Sequence, residues 1–350
     1  MHVNAPRSRS SWRIAALVAM VMAGVAPAAC GGDDEPQATA TAPAPAPVPA
    51  PETTTLPRTA TTSTSTVEQS PTGPAPRPGV RDGLVVGIGE QRTTMFADPR
   101  FRALRIEHAR LVVAYDATRV RFEREIVDGW LSEARSAGAE PFITFGHSRV
   151  NPRKLPSSAE FRSAFRAFRK RWPQVRVYAP WNEINHASQP TARAPARAAE
   201  YYNVVRAECG GCTVLAGDVL DQAGMTGYLS VYRRHIDGSP RIWGLHNYAD
   251  ANRFRKRGLQ AMLKAVPGEI WLTETGGLVK FGRNFPRDER RAARAVDYAL
   301  GLAADTPRVK RIYLYNWTGS KPDDRFDAGL VGPDGRPRPA YGVLKGALEG

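Results

Sequence analysis

The sequence predicts a single (β/α)8 barrel, a TIM barrel, over residues 81–350, and three observations lead there. From Gly83 onward, short runs rich in Val, Ile, Leu and Tyr recur. Longer stretches with apolar residues at helical spacing separate them, which is the alternation of repeated βα units. The runs begin about 32 residues apart, the length of one such unit, and eight of them over about 270 residues match a closed barrel. A doubly wound sheet would carry a Gly-rich phosphate loop after its first strand, and Gly87-Ile88-Gly89 is too little of one.

Two segments precede the barrel. Arg7, Arg9 and Arg13 stand before an apolar run at 14–29 that contains no acid and ends in Ala28-Ala29-Cys30. That is the layout of an export signal over residues 1–30, and the run is shorter than the roughly 20 residues of a membrane span. Small residues followed by Cys resemble the lipobox of bacterial lipoproteins, although Pro27 stands where that motif usually has Leu. Lipidation of Cys30, cleavage after Ala29 and an uncleaved anchor are the three outcomes. Each takes the chain out of the cytoplasm, either held at the outer face of the cell membrane or secreted. Residues 31–80 hold eleven prolines among Ala and Thr, a composition that forms neither helix nor core and is expected to be a disordered tether.

The eight expected strands are LVVGI at 84–88, ARLVVAY at 109–115, PFITF at 141–145, VRVYAPW at 175–181, CTVLAG at 212–217, RIWGLH at 241–246, EIWLT at 269–273 and RIYLYN at 311–316. Amphipathic helices are expected at 120–136, 158–171, 196–208, 226–235, 253–265, 287–304 and 341–348. Ser157 and Glu160 offer the second of these a capping box.

In such a barrel the chemistry lies at the carboxyl ends of the strands, and polar residues gather there. Asn182 and Glu183 follow the fourth strand, His246, Asn247 and Tyr248 the sixth, Glu274 the seventh, and Asn316 and Trp317 the eighth. Glu90, Gln91, Asp116, His147 and Asp218 end the others. Two carboxylates entering one mouth from opposite sides suit a pair flanking a scissile glycosidic bond.

At Trp181-Asn182-Glu183 and Leu272-Thr273-Glu274-Thr275-Gly276 the chain resembles clan A of the retaining glycoside hydrolases. The resemblance covers roughly 82–350, and the tail FDAGLVGPDGRPRPAYGVL is similar to that of members related to families 5 and 39 and to the alkali-sensitive-linkage group. It implies Glu183 as acid/base, Glu274 as nucleophile and Asn182 on the sugar 2-hydroxyl. It further implies His246 and Tyr248 beside the sugar, Trp317 as an aromatic floor and Arg110 supporting the nucleophile. His147 and Asp116 are further candidates for contacting substrate hydroxyls, with helix capping and a loop hydrogen bond as their alternatives. Retention would set the two carboxyl groups about 5 to 5.5 Å apart, with Glu183 protonated and Glu274 ionised at rest. A transglycosylase of the same fold and a non-catalytic glycan-binding barrel are the rival readings.

The net charge is +15, and 44 of the 49 basic residues lie beyond residue 80 against 29 of the 34 acidic ones. A basic exported domain attracts teichoic acids, uronic polysaccharides or lipid headgroups, although an Arg-rich genome would produce the same excess. No nucleic-acid motif accompanies it. Cys209 and Cys212, around two glycines, are expected to close a small disulfide loop in an oxidising compartment. No metal-binding spacing occurs, so neither metal nor cofactor is expected. The partner is carbohydrate, and the domain is expected to be a monomer.

Overall fold

The computed structural model describes residues 83–283 and 285–350. The signal segment 1–30 with Cys30, and the tether 31–80, lie outside the described residues.

The strands are β1 (Val85–Gly89), β2 (His108–Ala114), β3 (Glu140–Gly146), β4 (Val177–Ala179), β5 (Thr213–Val214), β6 (Ala216–Leu220), β7 (Ile242–His246), β8 (Glu269–Thr275), β9 (Lys280–Phe281), β10 (Val309–Tyr315) and β11 (Phe326–Asp327). Nine of them form one sheet in the order β5-β4-β3-β2-β1-β10-β8-β7-β6, with parallel pairing throughout. The two ends of that order are consecutive in the chain, parted only by Leu215. The fifth barrel strand is thus split: β5 pairs with β4 and β6 with β7, and the ring closes through Leu215, whose amide donates to the Tyr178 carbonyl at 2.9 Å. The remaining two strands, β9 and β11, make a small antiparallel ribbon.

The helices are α1 (Thr94–Ala97), α2 (Pro99–Ala103), α3 (Arg121–Ser136), α4 (Ser158–Arg171), α5 (Pro195–Glu208), α6 (Met225–Arg234), α7 (Tyr248–Asn252), α8 (Arg257–Ala265), α9 (Glu289–Ala304) and α10 (Pro339–Glu349). The capping box is present: Ser157 Oγ accepts from the Glu160 amide, and Glu160 accepts from the Ser157 amide. The stretch expected as one helix at 253–265 begins at Arg257 instead, because Phe254 takes a left-handed φ of 51° that a helix does not accommodate.

Strand residues alternate between two cores. Phe142, Val177, Leu215, Trp271 and Tyr313 fill the lumen. Their neighbours Ile143, Tyr178, Leu272 and Leu314 face outward into the larger layer against the helices, with Phe161, Phe165 and Phe168 of α4 among the partners. The lumen is therefore packed below the mouth, and polar side chains at the strand ends rest on a solid apolar floor. Cys209 and Cys212 are joined by a disulfide just before β5.

Candidate active site

Arg110, reaching in from β2, is the hub of a buried cluster at the carboxyl end of the barrel. Its guanidinium is 1% exposed. Nε donates to Thr144 Oγ1 (3.0 Å), Nη1 to Glu274 Oε2 (2.6 Å), and Nη2 to both Asn182 Oδ1 (2.7 Å) and Asp218 Oδ2 (3.0 Å). The planar five-donor fork of arginine serves four acceptors at once, three on strands β3, β6 and β8 and one in the turn after β4. Asn182 spends its carbonyl on Arg110, which leaves its amide nitrogen as the group that can meet a ligand.

Asp218 owes its place to a break in strand regularity. The β6–β7 register shifts between Gly217 and Val219, and Gly217 and Asp218 both have positive φ, 78° and 86°. This bulge turns a carboxylate inward. Gly244 on β7 makes room for it, since a Cβ there would lie 2.5 Å from Asp218 Oδ1. The carboxylate is fully buried, accepts from Thr273 Oγ1 and faces Arg110 and His246. Burial works against its ionisation, but the charges of His246 and Arg110 outweigh it and bring its pKa down to about 2.

His246 ends β7 with its ring fully enclosed. Nε2 faces Asp218 Oδ1 at 3.4 Å. Nδ1 lies 3.3 Å from Glu183 Oε1 and 3.9 Å from Glu274 Oε2. Burial favours the neutral ring, yet the charges of Asp218 and Glu274, with hydrogen bonds to Asp218 and Glu183, push its pKa up to about 10. With its pKa raised so far the ring is charged at neutral pH; Nδ1 is hydrogen-bonded to Glu183, and Nε2 lies between Asp218 Oδ1 and Arg110 Nη2, 3.3 Å away.

Glu183 follows β4 in a left-handed backbone conformation, φ 46°, a position a side-chain-bearing residue occupies at a cost. Its carboxylate is buried against His246 and, at 3.7 Å, His186. Burial would raise its pKa, but the hydrogen bond and charge of His246, with the charge of His186, hold it below the ordinary value. The charges of His246 and His186 thus work against the protonated Glu183 expected at rest. Across the ring, Glu274 accepts from Arg110 and, on its other oxygen, from Tyr248 Oη at 3.1 Å.

No protein-family model matches this chain, and no curated protein sequence matches it. Solved structures do. A family 5 subfamily 18 glycoside hydrolase from Streptomyces cattleya, in complex with Manb1-4GlcNAc, superposes with a TM-score of 0.57 at 15% identity, over 76% of this chain and 80% of its own. A family 39 β-xylosidase from Caulobacter crescentus gives 0.56 at 17% identity, over 78% and 72%. A family 39 glycoside hydrolase from Bacteroides cellulosilyticus gives 0.50 at 16% identity, with 75% of this chain spanning 63% of that one. The (β/α)8 fold is shared with these enzymes.

The cluster gathers Arg110, Asn182, Glu183, His246, Tyr248 and Glu274. Trp317 does not take the place expected of it. Its ring is 1% exposed, donates Nε1–H to Asp98 Oδ2 (3.1 Å) and packs edge-on against Phe101 and Tyr341, so it locks α2 and α10 onto the barrel and offers no face to a sugar. Besides Tyr248, the aromatic group near Glu274 is Tyr315, half-buried and packed with Tyr248 and Phe326, its phenol ionisation opposed by burial and by the Glu274 charge. His147 is tied to Gln189 Oε1 at 3.2 Å, the oxygen that also accepts from Trp181 Nε1. Asp116 caps no helix through its side chain, and its buried Oδ1 has no protein partner. Neither contacts the two glutamates. Asp218, His186 and Tyr315 are the site residues that sequence reasoning assigned no role. Asp218 had been noted at a strand end, while the bulge that aims it depends on Gly244, 26 positions away in the chain.

Proposed function

We propose that this protein is a retaining glycoside hydrolase acting on a poly- or oligosaccharide outside the cytoplasm, with Glu274 as nucleophile and Glu183 as acid/base. The observation that carries this reading is His246 Nδ1 standing within 3.3 and 3.9 Å of one oxygen of each carboxylate. That arrangement gathers both carboxylates around one ring nitrogen, as a pair flanking a single glycosidic bond requires.

Arg110 and Tyr248 hold both Glu274 oxygens, which fixes the carboxylate for attack on the anomeric carbon. The acid's proton comes from His246: moving it from Nδ1 to Glu183 Oε1 changes an ion pair into two neutral groups with no change in total charge. Glu183 then protonates the leaving oxygen, and the emptied carboxylate activates the water that cleaves the glycosyl ester on Glu274. Asn182 Nδ2 meets the sugar 2-hydroxyl, and Tyr315 supplies the apolar wall.

The test is incubation with 2-deoxy-2-fluoro aryl glycosides followed by peptide mass spectrometry. A glycosyl adduct on Glu274, and a first-formed product of unchanged anomeric configuration by NMR, are expected. An inverted product or an adduct elsewhere overturns the assignment. Glu183→Gln should lose turnover of natural glycan while sparing aryl glycosides whose leaving group needs no protonation.

A further inference from the structure

The basic excess of the folded domain is not used by the reaction centre. Part of it is collected on the outer helical ring. Between α6 and α8 runs a groove of about 780 Å³ whose walls carry Arg233, Arg234, Arg257 and Lys264 and no acidic residue. None of these four cations has a carboxylate partner among the described residues. Arg233 reaches across to the Ala265 carbonyl and Arg234 back to Ser230. On the far side of α8 a second groove, of about 530 Å³, lies against α9 and shares Arg257 with the first. It contains the acid Asp305 and also Arg255, which faces Asp250 at 3.6 Å.

An independent feature lines the second groove. Phe254 is 44% exposed, one of three large apolar side chains so exposed among the described residues. It is held outward by the left-handed backbone that splits the expected helix, and its ring meets Tyr298 of α9 edge-on at 5.8 Å. A non-glycine residue held at positive φ in order to display an aromatic ring is a cost that points to use. Flat rings stack on the C–H face of a pyranose, and a row of unpaired cations draws carboxylates.

We propose that the two grooves along α8 form a binding cleft for an acidic polysaccharide, Phe254 stacking on a sugar ring while Arg233, Arg234, Arg257 and Lys264 pair with uronate carboxylates. This cleft is built from the outer helices and the turn that joins α7 to α8, and it shares no residue with the barrel-mouth cluster. It holds polymer without cleaving it.

Affinity electrophoresis of the whole protein in gels containing polygalacturonate tests this, with its neutral methyl ester, polyphosphate and phosphatidylglycerol vesicles as separate probes. The wild type should be retarded by polygalacturonate and not by the ester. Arg257→Glu with Lys264→Glu should abolish retardation, and Phe254→Ala should weaken it by about tenfold, with aryl-glycoside turnover unchanged in both. Polyphosphate binding, if any, should be indifferent to Phe254. Unaltered retardation of the charge-reversed protein overturns the cleft. An unaltered Phe254→Ala variant overturns the saccharide and leaves a plain polyanion surface. Vesicles bound more tightly than polygalacturonate overturn it in favour of a membrane.

Discussion

Arginine, histidine and carboxylate meet at both ends of this barrel. At the amino end Arg311 donates to Glu140 (3.1 Å) over the face of Trp271 (4.1 Å), and His108 meets the same carboxylate at 3.0 Å. Glu140 is 43% exposed there, and the His108 hydrogen bond, opposed by burial and aided by Arg311, brings its pKa down to about 2. At the carboxyl end two cations, Arg110 and His246, face three carboxylates, Asp218, Glu183 and Glu274, and all but Glu274, which is 12% exposed, are sealed from water. The first cluster has one acid, water at hand and nothing to exchange. In the second, negative charge exceeds positive where solvent cannot compensate, so a proton must be shared. The same residue types thus make a strut at one end and, in the proposed reaction, a proton-exchange site at the other, and the balance of charge under burial separates them.

Paired substitutions at the two ends sharpen that contrast. Glu274→Gln should reduce turnover by roughly 10⁴-fold or more, as loss of a nucleophile does, whereas Glu140→Gln should leave kcat within about twofold; comparable losses in steady-state assays would erase the distinction. Arg110→Leu strands two carboxylates, Asp218 and Glu274, and should cost about 3–5 kcal/mol in chemical denaturation, while Arg311→Leu, facing one half-exposed acid, should cost about 1 kcal/mol or less. Asp218→Asn should lower kcat/KM by about 10²-fold and shift the pH profile. The anion that raises His246 is gone, so the alkaline limb, set in the wild type by a His246 pKa of about 10, moves to lower pH. An unmoved limb would make Asp218 a packing residue only. The smallest effect concerns Glu140 itself. Its folded pKa lies below its usual 4.5, so it adds stability above that pH and loses it as pH falls toward 2. Glu140→Gln should flatten the stability curve across that window by less than about 1 kcal/mol, given its exposure.

The barrel was legible because its signals are local. Continuous apolar runs such as PFITF and EIWLT mark strands buried on both faces, and Ser157 with Glu160 marks a helix start within four residues. Glu183 and Glu274 were legible as polar residues that end such runs. What escaped depends on partners distant in sequence. The break at Leu215 exists because β5 and β6 pair with different neighbours. Asp218 turns inward only where Gly244 leaves space. Trp317 and Tyr315 are two positions apart and both aromatic. Contact with Phe101 and Tyr341 removes one from the mouth, and nothing in the run RIYLYNW says which.

The split of the fifth barrel strand gives an otherwise edgeless sheet a zip fastener. On one side of Leu215 the ring is held by two residue pairs, Val177 with Thr213 and Tyr178 with Val214, and the Cys209–Cys212 loop clasps the chain just before them. Closed barrels escape self-association because no strand is left with unpaired amides and carbonyls. Unzipping β5 would convert β4 and β6 into two open edges in a single step. Under reducing conditions the domain should therefore exchange amide protons first at Thr213 and Leu215 and, on prolonged incubation, stick to itself edge to edge while its helical ring is still folded.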